Sequence, residues 1–415
     1  MPHRGEIGWY LPVVVVREKQ GATMKGKPEG AGNSNFELQE ANMMLFEPFT
    51  IKALKLKNRI TMTPMFLGYA NPDGTPSHLL IDHYKEMASS GVAMVVVEHI
   101  AVDVRGMGSP FMLRADDDRF VEGLSVLSRA IKESGALAFA QINHAGRYAY
   151  GPERVAPSPV RTGKVVPREL GRDEIEGVID SYARAAERIE EAGFDGVELH
   201  GGTGYLLVQF LSPRTNHRSD EYGGVLANRM RFPLRVVEGV MDAVGQDFPV
   251  GYRFLADEML PDGFQLEEAK IYGAELARRE IAYLSVMVGT YDSFSLPKYK
   301  EMEREQGYMV HFAHEVKRSV QGIPAVIAAG RIQRPEYASK IIDEGKADLI
   351  GLARVLFADP LWPKKAKGEI QDPIIACEPT CSLCMQRLMK GKPAYCSQWS
   401  KERREAFLKR VEETG

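Results

Sequence analysis

All four cysteines of the 415-residue chain lie in one stretch, "CEPTCSLCMQRLMKGKPAYC", from Cys377 to Cys396. Cys377, Cys381 and Cys384 are closely spaced, and Cys396 follows after "MQRLMKGKPAY". Thiolates grouped in this way bind zinc or an iron–sulfur cluster, and spacing alone does not separate the two. In a reducing compartment they read as metal ligands or redox groups, not as structural disulfides. A second set of chemically capable residues is dispersed: Glu98, Gln141, His144, His200, Arg253, Arg331 and Arg354. Imidazoles, an amide and guanidinium groups are suited to proton transfer and to holding anionic ligands.

These dispersed residues share a position, because each ends an apolar run. The runs are "NRITMTPM" (58–65), "GVAMVVVE" (91–98), "GALAFAQI" (135–142), "FDGVELHG" (194–201), "PVGYRF" (249–254), "IAYLSVMV" (281–288), "IPAVIAAG" (323–330) and "ADLIGLAR" (347–354). Between them lie helical patterns such as "DEIEGVIDSYARAAERIEEAG" and "RPEYASKIIDEG", the second closed by Gly345 as a C-cap. Continuous apolar runs alternating with helices predict parallel strands covered on both faces. Eight such units predict a closed (β/α)8 TIM barrel over 43–370, followed by a short four-cysteine segment, 371–400, and a charged helix, 401–415. A doubly wound sheet is the rival fold, but no run is followed by G-x-G-x-x-G. In a barrel the strand ends share one rim, so their polar groups are expected to line a common pocket.

Composition bounds the function. An apolar fraction of 44%, a charged fraction of 26% and a net charge of -3 are ordinary for a globular enzyme and argue against a general nucleic-acid binder. No apolar run approaches a membrane span. "WYLPVVVV" lacks the basic leader and cleavage site of a signal peptide, so a cytoplasmic setting is expected. Residues 1–42, with "GATMKGKPEGAGNSN", read as a flexible extension without chemistry, and Met24, Met43 and Met44 are each suited to be a start.

Several strings carry a resemblance. They are "LFEPFTIKALKLKNRITMTPM", "QINHAGR", "AGFDGVELHGGTGYLLVQFLSPRTNHRSDEYGG", "NRMRFPLRVVEGV" and "AAGRIQRPEYASKIIDEGKADLIGLARVLFADP". On these the chain resembles the Old Yellow Enzyme family of FMN-dependent ene-reductases, over nearly everything after Met43. With the cysteines it is similar to the subgroup of 2,4-dienoyl-CoA reductase and trimethylamine dehydrogenase, where a [4Fe-4S] cluster follows the last barrel strand. The resemblance implies FMN, and a cluster on Cys377, Cys381, Cys384 and Cys396. The second cysteine stands one place late, with Thr380 at its usual position. Gly330, Ala353 and Arg354 are implied at the flavin phosphate, and Arg331 at the phosphate or the ring edge. Gln141 is implied at the pyrimidine side, Arg253 at the N1–C2 edge, and Pro64 and Met65 beside the ring. Phe66 stands where some members have a cysteine.

In "HGGTGY" the resemblance makes His200 a donor to the substrate carbonyl and Tyr205 the proton donor. Thr203 replaces the usual second His or Asn, which leaves the carbonyl seat and the substrate class open. The implied activity is reduction of an activated C=C bond in an enoyl, dienoyl (including CoA thioester) or enone substrate. Two alternatives stand beside it. One is an amine dehydrogenase, for which Tyr69, Tyr148 and Tyr291 are scattered cage candidates. The other is a non-catalytic electron-transfer or scaffold barrel with zinc on the cysteines. At single-residue level, Arg253 could instead bridge to Asp257 or Glu258, and Tyr205 could be only an aromatic wall. The sequence holds no nucleotide-binding segment, so a separate electron-donor protein or reductase subunit is expected. The helix "KERREAFLKRVEE" is a candidate dock for it, although a solvated terminal helix is the better-supported reading. Assembly as a homo-oligomer is compatible with the sequence.

Overall fold

The computed structural model describes residues 43–322 and 324–414. The expected extension over 1–42 lies outside the described residues. Eight strands form the barrel: β1 (Ile60–Met62), β2 (Met94–Ala101), β3 (Leu137–Asn143), β4 (Gly196–Gly201), β5 (Val250–Asp257), β6 (Tyr283–Val288), β7 (Ala325–Ala328) and β8 (Leu349–Leu352). They pair in parallel in sequence order, β8 pairs with β1, and β1 pairs with β2, so the sheet has no free edge. Closure rules out the doubly wound alternative. Each apolar run of the sequence contains or overlaps one strand.

Helices α1 (His78–Ser89), α2 (Val121–Glu133), α3 (Arg172–Glu191), α4 (Arg231–Ala243), α5 (Leu266–Arg278), α6 (Val310–Ser319) and α7 (Pro335–Asp343) follow strands β1 to β7. Their ends follow local chemistry. α7 starts with Pro335 in its first turn, where no amide donor is needed, and stops before Gly345 at φ 67°. α3 begins where Glu174 accepts from the Gly171 amide at 2.9 Å. After β8 come α8 (Arg354–Ala358), α9 (Trp362–Ala366), α10 (Leu383–Met389) and α11 (Lys401–Thr414).

Strand side chains alternate between two environments. Val95, Val97, Ala138, Ala140, Val197 and Leu199 face the helices and join the large outer core. Met94, Val96, Phe139, Tyr283, Ile327 and Leu349 pack together inside the barrel. A hairpin, Phe49–Ile51 against Leu54–Leu56, plugs that end with Ile51 and Leu56. Glycines make room for the interior rings. A Cβ on Gly196 would lie 2.2 Å from the Phe139 ring, and one on Gly251 would lie 2.2 Å from the Tyr283 ring.

Both rings are fully buried, so neither can swing away. Gly251→Ala is therefore expected to overpack the barrel floor and to destabilise by about 1–3 kcal/mol in denaturant unfolding. A wild-type midpoint would mean that the Tyr283 ring can give way.

Candidate active site

The catalytic rim begins with an irregularity in β2. Its pairing with β3 slips between Val97 and Ile100, which face Ala140 and Ile142. Glu98 and His99 thus stand opposite the single Gln141, as in a β-bulge. An extra residue inverts the alternation. Val96 faces inward before the bulge, and His99 faces inward after it, stacked on Phe66 with ring centroids 5.0 Å apart. Glu98 accepts from the Leu67 amide at 3.1 Å, and burial pushes its carboxyl up to about 8.

Above the apolar floor lies a polar layer. Gln141 donates to Glu198 at 2.7 Å, and Arg253 donates to Ser285 at 2.7 Å. Burial raises the Glu198 carboxyl to about 7 against the opposing pull of Arg253 and of the nearby Tyr283 hydroxyl. Arg253 does not bridge to Asp257 or Glu258. Asp257 accepts from the amides of Met259 and Leu266, and Glu258 from Ser212 and the Phe264 amide. A buried guanidinium with so few protein partners suits an electron-rich ligand edge.

In "HGGTGY", β4 ends and the chain turns sharply. Gly202 leaves room there for the Met287 side chain, since a Cβ would lie 2.4 Å from its sulfur. Thr203 sits at φ 60°, a left-handed conformation that costs a β-branched residue about 1–3 kcal/mol. It is held by the Tyr291 amide donating to its carbonyl at 3.2 Å. Its hydroxyl meets the Met287 sulfur at 3.8 Å. His200 and Tyr205 come together, ring centroids 4.9 Å apart, and His99 lies 6.0 Å from His200 and 5.8 Å from Tyr205. Burial drives both imidazoles toward the neutral form, His99 to about 4 and His200 well below its usual range. Burial likewise keeps the Tyr205 phenol protonated. The Tyr205 hydroxyl shares a 2.8 Å hydrogen bond with Tyr291, which packs edge-on against Tyr148. Tyr148 donates to Asp292 at 2.7 Å, and Arg147 also reaches Asp292. Tyr69 is not part of this group. It lies under the C-terminal segment, donating to the Ala394 carbonyl at 2.5 Å.

At the ends of β7 and β8, Gly330 takes φ 102° and Ala353 precedes α8. Among the described residues Arg354 makes one long ion pair, 3.9 Å to Glu303, and its side chain is 37% exposed. Arg331 reaches the cysteine segment. At φ 54° it donates to the carbonyls of Glu303 (2.8 Å), Cys377 (3.3 Å) and Pro379 (3.4 Å), tying the cysteine segment to the rim. Pro64 and Met65 continue from β1 toward the same rim, with Met65 against the core.

The four thiols line one small cavity with Arg354, Phe357, Ser397 and Gln398. Among the described residues no three His, Cys, Asp or Glu side chains converge closely enough to hold a single metal ion. Burial raises the Cys396 thiol to about 11 and also raises Cys384, while the Arg354 charge pulls Cys384 the other way. The segment is pinned by Trp399 donating to the Phe357 carbonyl at 2.7 Å. α11 is strapped by Arg403–Glu86 at 2.7 Å and Arg410–Asp82 at 2.6 Å, with Phe407 packed on Tyr69 and Trp399. The terminal helix thus has one docked face and one solvated face.

The donor set fits FMN. Gln141 and Arg253 supply polar partners for a ring, with an orphaned ring nitrogen on His200 nearby. Arg354 is a guanidinium at the end of β8 that could meet a phosphate. Sequence reasoning did not find His99, which the bulge turns inward, or the Tyr205–Tyr291 hydrogen bond, which joins two loops. The one available signal was that His99 directly follows a strand-ending glutamate.

The NADH:flavin oxidoreductase / NADH oxidase family model matches residues 44–373. An NADH oxidase of Thermoanaerobacter brockii is 44% identical over 342 residues, covering 80% of this chain and 52% of the relative. A 2-naphthoyl-CoA reductase in complex with 2-naphthoyl-CoA superposes with a TM-score of 0.82 at 27% identity, covering 86% of this chain and 57% of the other. Histamine dehydrogenase from Rhizobium sp. 4-9 superposes with a TM-score of 0.75 at 29% identity, covering 86% and 52%. The chain spans about half the length of that NADH oxidase and of a metal reductase of Desulforamulus reducens to which it is 39% identical. No helix among the described residues is long and apolar enough to cross a membrane. The match runs through the whole barrel and its polar rim, and on that ground the chain belongs to the NADH:flavin oxidoreductase / NADH oxidase family of FMN-dependent oxidoreductases.

Proposed function

We propose that this chain reduces a C=C bond conjugated to a carbonyl, including that of an acyl-CoA thioester, using FMN and a [4Fe-4S] cluster on Cys377, Cys381, Cys384 and Cys396. Bound FMN supplies hydride to the β carbon, and the cluster exchanges single electrons. The observation that carries the reading is the packing of the Tyr205 phenol against the His200 imidazole, ring centroids 4.9 Å apart and both nearly sealed from water over the polar layer of Gln141 and Arg253. His200 donates to the carbonyl oxygen, where negative charge grows as the bond is reduced. Tyr205 delivers its proton to the α carbon. Tyr291, 2.8 Å away and half-buried, donates to the phenolate left behind and regains its proton from water. Four thiols lining one cavity at the end of the barrel supply the donor set that a cluster needs. The exposed cysteine segment suits electron exchange with another protein surface. The thioester class rests on the likeness to 2-naphthoyl-CoA reductase.

A second reading is amine oxidation, favoured by the clustered rings of Tyr148, Tyr205 and Tyr291 beside Asp292 and by the likeness to histamine dehydrogenase. Such rings attract a cation.

With chemically reduced enzyme and a conjugated enone or enoyl thioester, Tyr205→Phe should slow flavin reoxidation in stopped flow by ~100-fold or more, with ligand binding little changed. A wild-type rate would remove Tyr205 as the acid. Rapid flavin reduction by a tertiary amine, without enone reduction, would move the assignment to amine oxidation. Anaerobically prepared protein should hold about four iron atoms per chain, lost in Cys384→Ser while FMN stays bound. Stoichiometric zinc without iron, in protein made under iron-replete conditions, would overturn the cluster.

A further inference from the structure

The substrate's activating oxygen needs more than one donor if the developing charge is to be held in place, and the segment that carries His200 supplies no second one. Thr203, three residues on, points its hydroxyl at the Met287 sulfur and is fixed there by a left-handed backbone. The structure instead brings a second imidazole from a different strand. His99 is 8% exposed, and neither ring nitrogen has a hydrogen-bond partner among the described residues. The β2 bulge aims it inward, Phe66 fixes one face of its ring, and His200 and Tyr205 flank it. An oxygen that accepts from two donors sits about 2.8 Å from each, so the donors can stand up to about 5.6 Å apart. Ring centroids 6.0 Å apart allow that separation between nitrogens. His200 also has a ring nitrogen, Nδ1, without a hydrogen-bond partner among the described residues. An inward-facing imidazole without a protein partner is available to a ligand.

We propose that His99 and His200 form a two-imidazole seat for the electron-rich oxygen of the substrate, so that the second donor comes from β2 and not from Thr203. The proposal rests on the reductase reading above and deepens it. A seat made this way takes a carbonyl or enolate oxygen between neutral N–H groups, with Tyr205 within proton-transfer reach of the neighbouring carbon. It selects small conjugated carbonyl compounds and thioesters whose oxygen can reach between the β2 and β4 ends. It also binds a phenolate, whose charged oxygen resembles the enolate that forms during reduction.

The test uses the flavin-loaded protein and 4-hydroxybenzaldehyde as its phenolate, titrated by flavin absorption and by calorimetry. His99→Phe keeps the ring that stacks on Phe66 but removes the donor, and should weaken binding by about 10–100-fold, the loss expected for a hydrogen bond to a charged group. His99→Asn, which restores an N–H donor, should recover part of that loss. Thr203→Val should weaken binding less than His99→Phe does. Wild-type affinity in His99→Phe, a larger loss in Thr203→Val, or no phenolate binding by the wild type would each overturn the seat. The two readings separate cleanly. Phenolate held through His99 without enone turnover keeps the seat and defeats the reductase. Enone turnover that depends on Tyr205 but not on His99 does the reverse.

Discussion

A closed parallel barrel has a single interior, and side chains from alternate positions of its strands must fill it without voids. Everything at the rim depends on how that filling is graded. At the floor, Phe139 and Tyr283 occupy the space that side chains on Gly196 and Gly251 would take, and the hairpin residues Ile51 and Leu56 seal the end. One layer up, Gln141, Glu198, Arg253 and Ser285 satisfy part of one another's hydrogen-bonding capacity. At the mouth the rings of His99, His200 and Tyr205 close over them. The floor keeps water from below, so the polar layer works in a medium where each charge and donor acts strongly.

The architecture was legible in the sequence because the strands of a covered parallel sheet are apolar throughout, and eight such runs stand out between helices. The rim residues were legible for the same reason, since they end those runs. His99 was hidden because reading a strand by twos assumes an unbroken register. "MVVVEHIA" gives no local sign that one extra residue is accommodated between Val97 and Ile100. The pairing of Tyr205 with Tyr291 was hidden because it spans 86 residues and joins two loops whose paths are set by tertiary contacts. Arg331 was placed by sequence at the mouth, but a left-handed turn directs its guanidinium to the carbonyls of Cys377 and Pro379.

The same rim also anchors the cysteine segment. Arg354 lines the cysteine cavity and is also the cation at the end of β8, while Arg331 grips the cysteine segment from the end of β7. The two arginines are only short stretches of chain from the strands that position them. Their placement therefore inherits the rigidity of the sheet and not that of the exposed segment, and the distance between a flavin site and the thiols is set by β7 and β8.

The contacts that pin the C-terminal segment are also the most distant in sequence. The Tyr69 hydroxyl meets the Ala394 carbonyl across 325 residues, and Arg410 meets Asp82 across 328. In an unfolded chain, closing a loop of that size costs about 3 kcal/mol more entropy than closing one of about ten residues. Once β1 and β8 have paired, that distance has already been closed, and α11 needs only to settle onto a preformed surface. Docking of α11 therefore adds little further loop-closure cost, and the segment that carries the thiols takes its position from a sheet that is already closed.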